Sequence, residues 1–495
     1  METKSGSRRL LVLSLLVLAI DRGAALAQVG LGGGGAAKIW EQNCRNCHGE
    51  RGQGGGAGTS SLLDDDWLAG GSDWDLFQSI TKGLPDQGMD PFGETLSEAE
   101  VWSQVVFIRE LRYTDRRKRL GSPKADASGV YASTHAKFRV ETVTEDGLSL
   151  PWALDFLPAS RGHGERMLVT NRNGELRIFE DGRMSAPVRG TPSVRNRGQG
   201  GLMEVAAHPR YEENGWIYLA FADRITQDGK DLGMTKIVRG RIEKDRWTDE
   251  QTIFAADPDS YLPTDIHFGS RIAFDPKDSS ILFFSIGERG RGERAQDLSL
   301  PNGKIHRVHD NGRIPNDNPF VGREGALATV WSYGHRNPQG LVFDAEGRLW
   351  DTEHGPRGGD EVNRIERGAN YGWPVVSFGI NYNGAPYATP WPRQGQDFAM
   401  PTFVWLPSMG VCGLDVARGG WAGEMFPAWR GDLLAGGLSG ENLDRFRIDA
   451  SGNVVEHEEL LQGMGRVRDV SVGPNGSVYV VLNGPDRIVR LVRAE

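Results

Sequence analysis

Cysteine is nearly absent from this chain, with three residues in 495. So few thiols exclude a disulfide-stapled scaffold, and the fold has to rest on buried apolar surface instead. A long hydrophobic run is missing too. The richest stretch, Leu10 to Ile20, falls well short of the roughly 20 residues that a membrane span requires, so no spanning helix is expected. A large excess of charge of one sign is lacking as well. A formal net charge of -9 is modest for this length and argues against nucleic acid or an anionic membrane as the main partner.

Glycine, by contrast, is abundant at 67 residues. Without a collagen period it favours many tight turns, and hence short strands over long helices. A composition of 38% hydrophobic and 25% charged residues suits two or three globular domains. In "METKSGSRRLLVLSLLVLAIDRGAALAQ", Lys4, Arg8 and Arg9 precede the apolar run, which closes on Ala25-Leu26-Ala27. This layout predicts a secretory signal peptide over 1–27 and a soluble mature protein, periplasmic or secreted.

Two of the three cysteines lie within "EQNCRNCHGE". In an exported protein Cys44 and Cys47 could pair as a disulfide, but His48 changes the reading. Cys-x-x-Cys-His sets two thiols one helical turn apart for thioether bonds to haem, with an imidazole beside them for the iron. Ile39, Trp40 and Cys44 fall on helical spacing, which puts the motif at the end of an amphipathic helix. Downstream, "GLPDQGMDPFGETLSEAEVWSQVVFIREL" offers Met89 in a glycine- and proline-rich loop as the sixth ligand. Ser97 and Glu100 then form a capping box, and Val101, Val105 and Ile108 the apolar face of a closing helix. Residues 28–112 resemble a class I cytochrome c domain, small and all-α, which implies haem c. Residues 113–137, beginning "RYTDRRKRLGSPKADASG", carry little apolar character and read as a flexible basic linker that tethers the cytochrome.

From Phe138 a loose repeat appears in "PWALDFLP", "GGLMEVAAHP", "SRIAFDP", "PQGLVFDAEG", "CGLDVARGG" and "VRDVSVGPNG", each followed by further strand-like runs and turns. These units predict an all-β six-bladed β-propeller over 138–495. The strand "KFRVETVT" at its start is expected to complete the last blade, because an unpaired edge is a liability.

Between the strands stand "NRGQGGL", "TDIHFGSR", "IGERG", "GHRNPQG", "EHGPRGGDEVNRIERGANYGWP" and "GRVRDV". Taken singly, each has a structural explanation: a satisfied histidine, a turn, a surface carboxylate, an exposed strand face. Together "SYGHRNPQG", "EHGPRGGDE" and "NYGWP" make 138–495 resemble the soluble-type pyrroloquinoline quinone (PQQ) dependent aldose sugar dehydrogenases, a six-bladed propeller family.

The resemblance implies that His267 is the general base at the anomeric hydroxyl while hydride leaves C1 for the quinone, with Glu288 bonding its other ring nitrogen. It implies that Arg336, beside Asn337, faces the quinone carbonyls, and that Gln199 adds a neutral contact. Arg466 and Arg468, at i and i+2 on one strand, suit a two-pronged clamp for the three carboxylates of PQQ. Backbone carbonyls of Gly355 and Pro356 would hold Ca²⁺ on the cofactor, and Glu361 and Tyr371 match a second, structural calcium. Ser439 stands where relatives carry a cofactor-facing lysine, and Cys412 remains as a buried free thiol.

The resulting expectation is a quinohaemoprotein that oxidises an aldose or related aldehyde at C1 and passes electrons through haem to a respiratory or soluble acceptor. A non-catalytic haem-bearing propeller that binds a glycan or protein is the rival from another class. A calcium-dependent propeller lactonase is the enzymatic one, but appended haem has no use in hydrolysis.

Overall fold

The computed structural model describes residues 35–56, 59–64, 72–158, 165–387, 397–419 and 423–495. The expected signal peptide lies outside them. Four helices come first: α1 (Ala36–Asn43), α2 (Arg45–His48), α3 (Asp73–Lys82) and α4 (Glu98–Leu120). The capping box that starts α4 has both reciprocal bonds, Ser97 to the Glu100 amide and Glu100 to the Ser97 amide, and Ser72 with Asp75 repeats the device on α3. Trp40, Leu76, Phe77, Ile80, Val101, Val105 and Ile108 close a small core between the helices.

The closing helix is longer than the sequence reading placed it. α4 has 23 residues and runs through Leu120, well into the stretch read as linker. Its last turns are charged because they are solvated on one side, a composition that does not separate helix from coil. Three features hold them helical. Arg117, Lys118 and Arg119 complement the C-terminal dipole, Asp115 pairs with Arg119 at 2.7 Å, and Arg117 donates to Tyr113 Oη at 3.0 Å and to Glu459 of the propeller at 2.7 Å.

Six sheets follow, five of four strands and one of five. Their innermost strands are Pro151–Leu157, Leu202–Ala207, Ile272–Phe274, Pro338–Phe343, Val411–Val416 and Arg466–Val472. These are the six repeats read in the sequence, which recur because every blade contributes one doubly buried strand to the axis. Lys137–Thr144 pairs antiparallel with Arg487–Arg493, Phe138 opposite Arg493 and Val140 opposite Leu491, so the orphan strand closes the ring.

Carboxylates on inner strands stitch adjacent blades. Asp155 accepts from the Ala207 amide at 2.7 Å, Asp415 from Val472 at 2.7 Å, and Asp469 from Leu154 at 3.1 Å. On the axis, Arg271 touches all five other blades. It donates to Glu204 at 2.8 Å, to the carbonyls of Gln339 at 2.6 Å and Arg468 at 3.1 Å, contacts Cys412 Sγ at 3.8 Å, pairs with Asp469 at 2.7 Å and lies 4.6 Å from the Trp152 ring centre. A buried guanidinium with this many partners is compensated and plugs the channel.

Gly32–Glu495 is one compact unit. Ile380, fully buried, belongs to the core of the helical part, with Phe378 and Leu406 packed against it. Trp102 Nε1 donates to Phe378 O at 2.9 Å, and the Ala36 amide to Gly384 O at 2.9 Å. Glu110, 1% exposed, takes a two-pronged bond from Arg357 at 2.8 and 2.7 Å. The helical part is therefore seated on the propeller.

Candidate active site and haem pocket

The four residues read as haem ligands and attachment points surround one cavity of about 460 Å³ between α1, α3 and α4. Cys44 lies at the junction of α1 and α2, and α2 carries Cys47 and His48. Met89 is presented from the opposite wall by a tight loop: Leu84 and Met89 exchange backbone bonds at 2.9 and 3.1 Å, and Gly88 adopts φ 76° to turn the chain. Leu62, Leu76, Ile80 and Ile108 make the walls apolar.

Both thiols are free, and burial beside Cys47 pushes Cys44 up to about 12. The His48 Nδ1 is buried without a partner. An apolar slot with two adjacent thiols, an imidazole and a facing thioether fits haem c.

A second cavity, of about 160 Å³, opens on the propeller axis. Gln199, Ser439, Arg466 and Arg468 line it with Trp152, Phe268, Gln339 and His354. Arg466 is exposed to it, whereas Arg468 bonds Asn483 Oδ1 at 3.3 Å and contacts Cys412 Sγ at 3.7 Å. Cys412 is free and buried, as expected of the odd thiol, in contact with Arg468 and Arg271. Two guanidiniums converging on one side of a cavity fit a polycarboxylate such as PQQ.

His267 sits in the loop that enters the third blade, with φ 55°. Strand end Gly287 passes so close that a Cβ there would lie 2.3 Å from His267 O, so only glycine allows the approach. The approach brings the next residue, Glu288, onto His267: its carboxylate oxygen Oε1 bonds Nδ1, with both side chains buried. Burial lowers the His267 pKa first, the Glu288 bond opposes this, and the Arg336 charge lowers it further.

Gln199 lines the cavity and also has a scaffold role, since its Oε1 accepts the His267 amide at 2.7 Å. Asn337, 1% exposed, likewise serves the loop, with Oδ1 accepting the Gly269 amide at 3.0 Å. Arg336 donates to His354 O at 3.2 Å and to Tyr382 Oη at 3.2 Å, and lies 5.2 Å from the Trp373 ring centre.

Arg336, Gly355, Pro356, Glu361 and Tyr371 line a third cavity, of about 10 Å³, which shares His354 with the second. The sequence assigns the carbonyls of Gly355 and Pro356 and the Glu361–Tyr371 pair to separate calcium sites; here the four residues line one space, with Pro356 O accepting from Ser408 Oγ at 3.0 Å. Glu353 lines it as well, accepting the Arg336 amide on Oε1 and bonding His335 Nδ1 at 2.8 Å. Asp351 is fully buried, with Oδ2 3.8 Å from His335 Nδ1 and neither oxygen hydrogen-bonded.

Burial and the Glu353 charge raise both Asp351 and Glu361 well above the carboxylate range. A bound cation would relieve that crowding, so the donor set fits Ca²⁺. Glu353 and His335 stand inside the motifs read above, whereas Asp351 lies outside them, two residues before Glu353 on the same face of the strand Leu349–Glu353, a spacing that could have pointed to it.

A sugar-oxidoreductase propeller joined to a cytochrome-like helical domain is the class that this architecture and site define. The family model for glucose/sorbosone dehydrogenases matches residues 148–491, and that for the cbb3-type cytochrome c oxidase subunit III matches 35–108. The chain belongs to the glucose/sorbosone dehydrogenase family and is a sugar dehydrogenase carrying a cytochrome c domain. It is 40% identical over 347 residues to the aldose sugar dehydrogenase YliI of Escherichia coli, covering 68% of this chain and 88% of that one. A solved glucose dehydrogenase superposes with TM-score 0.65 at 37% identity, over 72% of this chain and 99% of the other. The PQQ-bound aldose sugar dehydrogenase of Streptomyces coelicolor superposes with TM-score 0.55 at 28% identity, covering 73% and 99%.

Proposed function

We propose that the protein is exported and oxidises an aldose, or a related aldehyde, at C1 to the lactone or acid, using PQQ and Ca²⁺ and passing the electrons to its own haem c. The observation that carries the reading is the buried His267–Glu288 pair beside a cavity into which two arginines project. PQQ, when bound, supplies the hydride acceptor, with its carbonyls polarised by Ca²⁺.

The chain's own residues do the rest. Glu288 accepts the Nδ1 proton of His267, which fixes the tautomer and leaves the Nε2 lone pair to take the anomeric hydroxyl proton. As the proton arrives, Glu288 stabilises the imidazolium. Arg336 is held in place by His354 O, Tyr382 and the Trp373 face, so its charge is preorganised for the negative charge that develops at the acceptor.

Arg466 and Arg468 bind carboxylates, and the carbonyls of Gly355 and Pro356 with Glu361, Glu353 and Tyr371 hold calcium. Cys44, Cys47, His48 and Met89 hold haem, whose acceptor downstream is a respiratory-chain or soluble redox carrier. The Arg8–Ala27 pattern supports export to the periplasm or beyond.

The test is to add PQQ and Ca²⁺ to purified haem-loaded protein and to screen aldoses with a small dye as acceptor. Turnover that needs both cofactors, with the haem reduced by sugar, is expected. Absence of oxidation with both present, or activity that survives removal of both, would refute the reading.

A further inference from the structure

The segment Phe378–Gly384 is gripped by the helical domain along one side. Phe378 O accepts from Trp102 Nε1 and Gly384 O from the Ala36 amide, each at 2.9 Å, while Ile380 is buried in the helical core. The backbone of Ile380 also pairs with Arg357 at 2.8 and 3.0 Å, and the Arg357 guanidinium reaches across to Glu110 of α4. Between these anchors stands Tyr382. The residue is 72% exposed, yet its hydroxyl accepts a bond at 3.2 Å from the Arg336 guanidinium of the candidate active site.

We infer that the cytochrome c domain is a wall of the sugar site: by clamping Phe378–Gly384 it holds the Tyr382 hydroxyl on Arg336 and the Tyr382 ring at the mouth. An exposed aromatic face fits the C–H face of a pyranose, and its hydroxyl end is tied to the residue that faces the reaction. Tyr382 is thus a specificity-determining residue, and Trp102, Glu110 and Arg357 are positioning residues that act through it. This role is separate from electron acceptance and needs no electron to pass through haem. It rests on the proposed sugar oxidation for its substrate but not for its geometry.

The physical reason for a clamp is that, although the Asn381–Ala385 turn closes on itself and Ile380 pairs with Arg357, no regular secondary structure fixes where this exposed aromatic tip points. Fixing each residue costs backbone entropy. The domain that contacts the segment from Phe378 to Gly384 offsets that cost before sugar arrives, so the wall is preorganised.

The experiment uses haem-loaded, PQQ- and Ca²⁺-loaded protein in five forms: wild type, Trp102→Phe, Glu110→Gln, Tyr382→Phe and the double variant Trp102→Phe/Tyr382→Phe. Amide hydrogen exchange over 378–384 is the first readout. Trp102→Phe and Glu110→Gln are expected to speed exchange there by about tenfold or more while the haem spectrum stays unchanged.

Steady-state oxidation of D-glucose, D-galactose and D-xylose with a small dye, which bypasses haem, is the second. Tyr382→Phe and Trp102→Phe are each expected to lower kcat/KM by about tenfold, with kcat falling as well as KM rising, because the lost charge-assisted bond leaves Arg336 less firmly held. The double variant should be no worse than Tyr382→Phe alone, because both act through one contact. Unaltered exchange, or a kcat/KM lowered by Tyr382→Phe but not by Trp102→Phe, overturns the inference. If wild type oxidises none of the three sugars, the proposed function fails, and the exchange result alone upholds or overturns the clamp.

Discussion

His267 shows how one side chain sets a pH window. Its burial and the Arg336 charge hold its pKa below the ordinary 6.5, against the pull of Glu288, so the neutral base persists into mild acid. The acid limb of kcat/KM should therefore have its midpoint below pH 6.5, measurable by steady-state kinetics from pH 4 to 8. His267→Ala should lower kcat by about 10² to 10⁴, and Glu288→Gln by less, because the imidazole stays oriented but loses its counter-charge. Arg466→Ala should weaken PQQ binding by about 1.5–3 kcal/mol, read by titration, since the exposed guanidinium faces the cavity. Ser439 lines the same cavity, so Ser439→Lys should tighten it. The pairing of His267 with Glu288 was legible because both stand in distinctive loops, and that of Arg466 with Arg468 because they fall at i and i+2 of one strand. Arg271 was not, since what distinguishes it is which distant strands converge on it, and Asp351, although at i and i+2 with Glu353, lies outside any distinctive motif.

Among elements, α4 carries the sharpest lesson. Its start was legible from Ser97 and Glu100, a local code that the backbone obeys. Its end was not, because Tyr113, Arg117 and Ser122 are ordered by Glu459 and Gln462, residues at the far end of the chain. Arg357→Ala should destabilise the protein by about 3 kcal/mol in denaturant unfolding, because it strands the buried Glu110 carboxylate.

Acid should weaken the blades for a related reason. Burial lowers His306 and His354 to about 3, whereas in the unfolded chain each titrates near 6.5. The unfolded state then takes up protons first, so stability falls as pH drops from about 6.5 toward about 3. A thermal midpoint that declines steadily over that window is the expected record.

Over the whole molecule, the six quoted repeats were enough to predict the ring, because each blade needs one strand buried on both faces and such strands look alike. The seating of the helical domain was invisible, since Phe378, Ile380 and Arg357 read in sequence as ordinary loop residues. A tether would make haem reduction sensitive to cleavage. A seated domain predicts otherwise: chain cut between Gly121 and Gly129 should still elute as one particle in size-exclusion chromatography. Sugar should reduce haem in the cut protein with a first-order rate that is independent of protein concentration in stopped-flow absorbance.

The pairing of Phe138 with Arg493 has a consequence for biosynthesis. The closing strand is made early but has no partner until Arg487–Arg493 emerges, on the order of tens of seconds later at ordinary translation rates. The surface that receives Trp102 and Ala36 also appears late, with Phe378 and Gly384. Yet every side chain that lines the haem cavity lies before residue 109, ahead of the first blade. The nascent chain thus passes through a stage in which the haem-attachment segment is complete and the rest is still open. Maturation has a built-in order: thioether bonds can form on a small helical unit first, and the quinone site comes into being only when the ring shuts.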